Sequence, residues 1–551
     1  MQHYSDCFNK KSRYIGAHEV GAESGGLLRA DLETLKERLT PLLRIQNDFF
    51  PCFDWSFPPP LLGKSAAPET AAELFSGTSI IPDRYAIYLH SPFCKTLCKF
   101  CYYAVLPGKG IDRAAEYVGY LLREMEMYRE VMAGQTCESI YFGGGTPTFL
   151  DDALLERIFT ALHERFDLAP DAEITIEAAP GTLGREKLER LRGWGVNRLS
   201  YGIQTLDERL LAGLNRHYSV AEAERELADA VEIIGNVNVD TMYGFDGEDE
   251  AALTDTLERF VALGVPSVSI YALDKQRSQT KQNFEPPKDE LYEYKIRQFA
   301  RAERLLAGHG FEPVLQNVFI DPERAAYTHQ VRRWDNLPLL GLGLNAQGYA
   351  PATPYQNIGS LKSYYEAIDA GRIPVATIDR LDPELDFCRE LTSKLRFTCV
   401  SRNELAFKYG VDIAEVYGHL IRALAELDFV GWDGDLLRMT PKAAYYNNII
   451  PMLFAPDAFK ARLTALPEEY IEVFPVPFIM TRLGAAQSVP FRFHEAPQER
   501  RRRSDRRRCG DRRQLAAMVP QGDERRTAAE RRGGPGRRAT DGVRAWTAAG
   551  A

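Results

Sequence analysis

From residue 85 onward the chain alternates between two hydrophobic patterns. Short runs rich in β-branched and aromatic residues ("YAIYLH", "ESIYFGG", "AEITIEA", "NRLSYGI", "VNVDTMYG", "SVSIYALD") are the first kind. Longer stretches with apolar residues every three or four positions separate them, among them "AAEYVGYLLREMEMYREVM", "DDALLERIFTALHERF", "SVAEAERELADAVEII" and "DEAALTDTLERFVALG". The first kind fits strands and the second amphipathic helices. Strand–helix repetition predicts a parallel sheet with helices outside it, closed into a partial or full barrel. In such folds binding sites form where strands end. The least ordinary sequences stand at those ends: a cysteine loop after "YLH", "GGGTPT" after "IYF", and "YGIQ" after "RLS".

The flanking segments break this rhythm. Residues 1–80 form an N-terminal extension, with a helix expected over "RADLETLKERLTPLLRIQ" and an irregular linker over "FPPPLLGKSAAPETAAELFSG". The barrel is expected over 81–310, with a less regular region completing it over 311–383. Residues 384–495 read as helices followed by an Asp-Gly hairpin in "FVGWDGDLLRMTPKAA". That order suggests a winged-helix-like module, with a plain α+β appendix as the alternative. It carries no basic cluster, so nucleic-acid binding is not expected of it. Residues 496–551 are low-complexity, and few apolar residues with many like charges predict disorder.

Composition sharpens the setting. Hydrophobic residues are 45% and charged residues 26%, the balance of a globular protein. The net charge of −9 is unevenly spread: from Arg500 on, 16 arginines and no lysine face 6 acidic residues. An acidic body therefore carries a basic tail, read as solubilising or self-associating rather than as a nucleic-acid arm. No run of 18 apolar residues predicts a membrane span, and "MQHYSDCFNKKSRY" lacks the apolar core of a signal peptide. Nine cysteines in 551 residues are too few for a disulfide scaffold, which points to the cytoplasm and to clustered cysteines as metal ligands.

Three of the nine cluster in "YLHSPFCKTLCKFCYYAV": Cys94, Cys98 and Cys101, spaced C-x3-C-x2-C. A structural zinc site would need a fourth Cys or His. No second cysteine pair exists, Cys137, Cys388 and Cys399 are isolated, and His90 precedes the loop in a strand. A 4Fe–4S cluster normally takes four thiolates, so three leave one iron open, and an open position marks a reactive site.

With Phe100 just before the last cysteine, the loop resembles the signature of radical S-adenosylmethionine (SAM) enzymes. The ordered motifs "YLHSPFC", "GGGTPT", "NRLSYGIQTLD", "LNRHYS", "VDTMYG" and "GLGLNAQGY", over residues 85–445, resemble the subgroup around oxygen-independent coproporphyrinogen III oxidase. That subgroup also holds heme chaperones and radical methyltransferases or cyclopropanases. The resemblance implies a partial (β/α)6-type radical SAM barrel. It implies a 4Fe–4S cluster on Cys94, Cys98 and Cys101, with SAM on the open iron. Tyr88, Phe100, Gly144, Gly145, Thr146, Glu177, Gln204, Arg216, Asp240 and Ala272 match positions that contact SAM in the family. In the oxidase, Gln204, Arg216 and Asp240 correspond to contacts with a second SAM. Taken by itself, the glycine turn can let a ligand approach the backbone, and Asp240, inside an apolar strand, needs a partner, with Arg216 or Arg198 as candidates.

The implied reaction is reductive cleavage of SAM to a 5′-deoxyadenosyl radical, followed by oxidative decarboxylation of a tetrapyrrole in a porphyrin pathway. The alternatives are C-methylation or cyclopropanation with a second SAM, and heme delivery. The implied partners are a small-molecule substrate and a reductant such as flavodoxin or ferredoxin. The oxidase has a further cysteine two residues after the last ligand, where this chain has Tyr102 and Tyr103, and it has an aliphatic SAM contact where this chain has Gln347. The chaperones carry His-Asn-x-x-Tyr-Trp where this chain has "HQVRRW", His329 to Trp334. His329 is accordingly read as a structural or exposed loop residue rather than a heme ligand.

Overall fold

The computed structural model describes residues 67–76, 83–273, 289–444 and 450–455, apart from positions 102, 246, 316, 335 and 396–398. The expected N-terminal helix and the arginine-rich tail lie outside the described residues. The expected linker is partly corrected. Ala71–Phe75 is a short helix, because Thr70 accepts from the Glu73 amide at its N-terminus and Leu74 and Phe75 are buried.

The strand–helix rhythm is realised almost residue for residue. Strands β1 (Arg84–Ser91), β4 (Thr136–Gly144), β5 (Asp167–Ala178), β6 (Arg198–Gln204), β7 (Val237–Tyr243) and β8 (Ser267–Ala272) lie side by side in that order, every pair parallel. Two short strands, β2 (Phe93–Cys94) and β3 (Leu106–Pro107), bracket the cysteine loop. Helices Ala114–Met132, Asp152–Arg165, Arg185–Gly193, Val220–Ile233 and Ala252–Ala262 return the chain between the parallel strands. Asp151 and Ser219 cap two of them by accepting from the amides of Leu154 and Glu222.

The region after residue 310 extends both sheet edges. Strands β9 (Glu312–Leu315) and β10 (Val318–Ile320) add antiparallel beside β8. On the other side β11 (Leu339–Leu342) runs parallel to β1, and β12 (Gln347–Ala350), β13 (Thr353–Asn357) and β14 (Val375–Ile378) follow antiparallel. These twelve strands form one sheet whose edges, β14 and β9, do not pair with each other. The barrel is therefore open.

The outer face of the sheet and the helices share one apolar core, with Ile87, Leu89, Ile140, Ile176, Leu199, Val239 and Val268 on the strands against Leu121, Met125, Leu155, Ile158, Leu188, Leu227 and Leu257 on the helices. A second core joins the helices Pro383–Leu395, Arg402–Tyr409 and Gly418–Glu426 to a three-stranded antiparallel sheet. That sheet holds β15 (Cys399–Ser401), β16 (Val430–Asp433) and β17 (Leu436–Met439). Among the described residues no helix is long and apolar enough to cross a membrane.

One carboxylate pins a barrel helix to the added edge. Glu124, fully buried on helix Ala114–Met132, accepts from the Gly343 amide and Asn357 Nδ2, both at 2.7 Å, and from the Tyr364 hydroxyl at 2.5 Å. Burial pushes its carboxyl up to about 7 from 4.5. A carboxyl that holds its proton more tightly when folded favours folding fully below the unfolded value and loses that contribution as pH rises through about 7. Relative to Glu124→Gln, wild-type protein should lose about 1–3 kcal/mol between pH 4.5 and 8. Urea unfolding of both proteins at each pH measures this, and a pH-independent difference would contradict it.

Candidate functional site

Parallel strands buried on both faces normally read as unbroken apolar runs. Here β5 to β8 alternate. Glu173, Thr175 and Glu177, then Arg198, Ser200, Gly202 and Gln204, then Asn238 and Asp240, then Ser267 and Ser269 share one face. Their hydrogen bonds run across the strands. Ser200 donates to Asp240 at 3.1 Å, Asn238 Nδ2 donates to Asp240 at 2.9 Å, and Ser267 and Ser269 donate to Asn238 Oδ1 at 2.8 and 3.0 Å. The barrel interior is thus a polar lining rather than an oil-filled core, suited to a polar ligand.

The cysteine loop sits at the C-terminal ends of the strands. Its return segment is clamped by residues 214–216: the Lys99 amide donates to Leu214 O at 3.2 Å, Asn215 Nδ2 donates to Leu97 O at 2.7 Å, and Thr96 Oγ1 reaches Asn215 O at 3.5 Å. Asn215 takes φ +61°, a conformation that Asn tolerates. Arg216 donates to Gly202 O, and its guanidinium lies over the Phe100 ring at 5.6 Å. Phe100 in turn packs on Leu210, Leu214, Phe245 and Leu273.

The glycine turn meets the loop from β4. The Gly145 and Thr146 amides donate to Ser91 O and Phe93 O at 2.7 and 2.8 Å, and Thr146 Oγ1 stands 3.6 Å from Cys94 Sγ. A Cβ on Gly145 would sit 2.6 Å from Phe93 O and 2.8 Å from Cys94 Sγ. Glu177 closes the arrangement by accepting from the Gly144 amide at 2.9 Å and the Tyr141 hydroxyl at 2.8 Å. Burial pushes the Glu177 carboxyl up to about 7 and also raises that of Asp240.

The three thiols fit a cluster better than a single ion. Among the described residues no three His, Cys, Asp or Glu side chains converge on one point. A cubane needs no such convergence, because each thiolate meets its own iron. Burial pushes the Cys94 and Cys101 thiols up to about 12 and 11, so a bound cation would be needed to favour their thiolate forms. Arg216 Nε, buried and without a hydrogen-bond partner, adds an unused donor beside the loop.

Residues 88–260 match the radical SAM superfamily. The heme chaperone HemW of Lactococcus lactis is 30% identical over 393 residues, which span 67% of this chain and 97% of that protein. The oxygen-independent coproporphyrinogen III oxidase of Escherichia coli is 29% identical over 312 residues, 52% of this chain and 66% of that protein. The solved structure of that enzyme from E. coli, HemN, superposes with a TM-score of 0.61 at 23% identity, covering 73% of this chain and 99% of the other, a likeness of fold. The chain belongs to the radical SAM superfamily, in the HemN and HemW group.

Within that radical SAM frame the expected site residues fall into two groups. Tyr88, Gly144, Gly145, Thr146 and Glu177 lie on β1, β4, β5 and the glycine turn, with Gly145 and Thr146 against Cys94. Phe100 lies on the loop, Gln204, Asp240 and Ala272 on β6 to β8, and Arg216 just after the helix Glu208–Gly213. Gln204 ends β6 at φ +77°, beside a β-bulge between Gly202 and Gln204, and its Nε2 would lie 3.1 Å from a Cβ on Gly202. Asp240 takes its hydrogen bonds from Ser200 and Asn238, not from Arg216 or Arg198. Arg198 acts on it only through charge. Arg198, absent from the expected site residues, is fully buried, stacks on Tyr327 at 3.7 Å, and none of its guanidinium nitrogens finds a hydrogen-bond partner.

The His329 expectation is corrected. "HQVRRW" is not a loop but part of helix Thr328–Trp334, whose first amides, of Thr328 and His329, donate to the Glu173 carboxylate. His329 is 2% exposed. Its Nδ1 lies 3.0 Å from Ser139 Oγ, and its ring centroid is 5.2 Å from that of Tyr141. Burial, with the charges of Arg333 and Arg198, pushes the imidazole down to about 3.

Proposed function

We propose that this protein is a radical SAM enzyme of tetrapyrrole chemistry in which Cys94, Cys98 and Cys101 hold a 4Fe–4S cluster. SAM occupies the polar barrel mouth above it. The chemistry a bound cluster supplies to SAM is one-electron cleavage to a 5′-deoxyadenosyl radical. This chain's residues bind and orient. The Gly144–Thr146 edge takes the amino-acid end of SAM, and Glu177 and Tyr88 flank it. Gln204, Asp240 and Ala272 on β6 to β8, with Phe100 of the loop and Arg216, would form a second binding region, for a second SAM or for the substrate. The barrel walls exclude water from the radical.

The observation that carries this reading is the convergence of the cysteine loop, the glycine turn and a polar barrel interior at one end of the strands. Tetrapyrrole chemistry is supported by the two names in the group, a heme chaperone and a coproporphyrinogen oxidase. Oxidative decarboxylation of coproporphyrinogen III is the leading reaction. Tyr102 and Tyr103, in place of the oxidase's further cysteine, keep methyl transfer with a second SAM as the other outcome. The HemW likeness favours heme delivery, but the burial of His329 against Ser139 and Tyr141 argues against that residue as the heme ligand.

The test is anaerobic reconstitution with iron, sulfide and dithionite, followed by product analysis with SAM and coproporphyrinogen III. The reading expects 5′-deoxyadenosine together with decarboxylated product. S-adenosylhomocysteine alongside 5′-deoxyadenosine would move the assignment to methyl transfer. A Soret band on heme titration with no 5′-deoxyadenosine would replace it with heme delivery.

A further inference from the structure

The imidazole of His90 lies where three parts of the site meet, and none of the roles above uses it. His90 is the seventh residue of β1, 3% exposed, and stands four residues before Cys94. Its Nε2 is 2.9 Å from the carbonyl oxygen of Ala104, where the chain leaves the cysteine loop. Its Nδ1 is 3.1 Å from the Tyr88 hydroxyl. Its Cε1 and Nδ1 both come so close to Gly144 that a Cβ there would sit 2.7 Å from each. One ring therefore touches the loop exit, Tyr88 and the glycine turn.

The partners determine the proton positions. A carbonyl oxygen only accepts, so Nε2 must carry hydrogen toward Ala104. In a neutral ring Nδ1 is then a bare acceptor, and the Tyr88 hydroxyl donates to it. Burial, which pushes His90 down to about 4, keeps the ring neutral near pH 7. With its own proton committed to Nδ1, the Tyr88 oxygen keeps lone pairs only and can meet a further partner only as an acceptor.

The backbone of His90 is equally constrained. Its carbonyl accepts from the Tyr117 hydroxyl at 2.6 Å, and a Cβ on Gly343 would sit 2.8 Å from it. Tyr117 also receives the Leu344 amide at 3.0 Å, and Gly343 donates to Glu124. The ring thus projects from a rigid point.

We propose that His90 is a positioning residue. As the Nε2–H tautomer it pins the exit of the cluster loop to β1 and turns the Tyr88 hydroxyl into an acceptor for a nitrogen donor of SAM. Phe, Gln and the Tyr88→Phe change separate its parts. His90→Phe keeps the ring volume and removes both hydrogen bonds. His90→Gln can still donate to Ala104 O. Tyr88→Phe removes only the hydroxyl.

This inference rests on the radical SAM reading but not on the substrate, so its readouts involve neither turnover nor tetrapyrrole. The first is amide hydrogen exchange of residues 94–104 in the cofactor-free protein. His90→Phe should speed exchange there, and Gln should restore it. The second is SAM affinity of the reconstituted protein by equilibrium dialysis. His90→Phe should assemble the cluster yet weaken SAM by about 10–100-fold, as lost outer-shell partners generally do. Tyr88→Phe should weaken SAM without changing loop exchange. Unchanged loop exchange in His90→Phe, or SAM affinity within about twofold of wild type, would overturn the role. Wild-type protein that binds no SAM would instead sink the radical SAM reading, and the exchange result would still decide whether His90 pins the loop. If His90→Phe does not fold, the Gln variant decides the loop by exchange and Tyr88→Phe decides the acceptor by affinity.

Discussion

Replacing Cys94, Cys98 or Cys101 singly by Ala is expected to abolish the iron–sulfur cluster. Among the described residues no further free cysteine is placed to take over. Among the described residues the other thiols, Cys137 and Cys388, are buried elsewhere, bonded to Ser139 O and to Phe454 O. The three loop cysteines are only half-buried, and the loop is held by backbone and Asn215 contacts rather than by the thiols. Each variant should therefore keep its far-ultraviolet circular dichroism while iron, sulfide and visible absorption fall to background. A variant that retains wild-type iron and sulfide would remove that cysteine from the ligand set.

The second large effect belongs to Gly145→Ala. Its Cβ would press on a backbone carbonyl, Phe93 O, and on the Cys94 sulfur, at distances that real Cβ atoms do not show. The turn has no slack, since the Gly145 and Thr146 amides are already bonded to Ser91 O and Phe93 O. Relief requires moving the loop or opening the end of β1 against β4. The expected cost is about 1–3 kcal/mol of stability, with loss of most cluster and SAM binding. Gly193→Ala is the control. Nothing lies within 4 Å of its Cβ position in helix Arg185–Gly193, and it should leave both unchanged. Urea unfolding and iron content read the comparison, and a Gly145→Ala protein with wild-type iron content would show that the close approach is dispensable.

The elements were legible because the periodicity was strong. Helix Ala114–Met132 matches its expected span residue for residue, and the six parallel strands lie within a few residues of theirs. The polar barrel interior was not legible in the sequence, because the strand of Asp240 reads as apolar and only the folded sheet brings Ser200, Asn238 and Asp240 onto one face. Segments whose conformation depends on distant partners were not legible. "HQVRRW" becomes a helix because Glu173, far away in sequence, receives its first amides. The "TAAELF" segment folds because Leu74 and Phe75 find a core to enter.

The site divides in the same way. The spacing of Cys94, Cys98 and Cys101 is local, so eight residues of sequence were enough to propose a three-thiolate metal site. The glycine turn was equally readable, because only glycine allows its close approach to the loop. The tertiary structure decided which partners the polar residues take and which protons they hold. Asp240 is fed by Ser200 and Asn238 rather than by an arginine, Glu177 binds the glycine turn, and His90 joins the loop exit to Tyr88. Those outcomes depend on burial and on distances between strands far apart in the chain. Sequence spacing determines which groups are available, while desolvation and hydrogen-bond geometry in the folded barrel determine their charge and orientation.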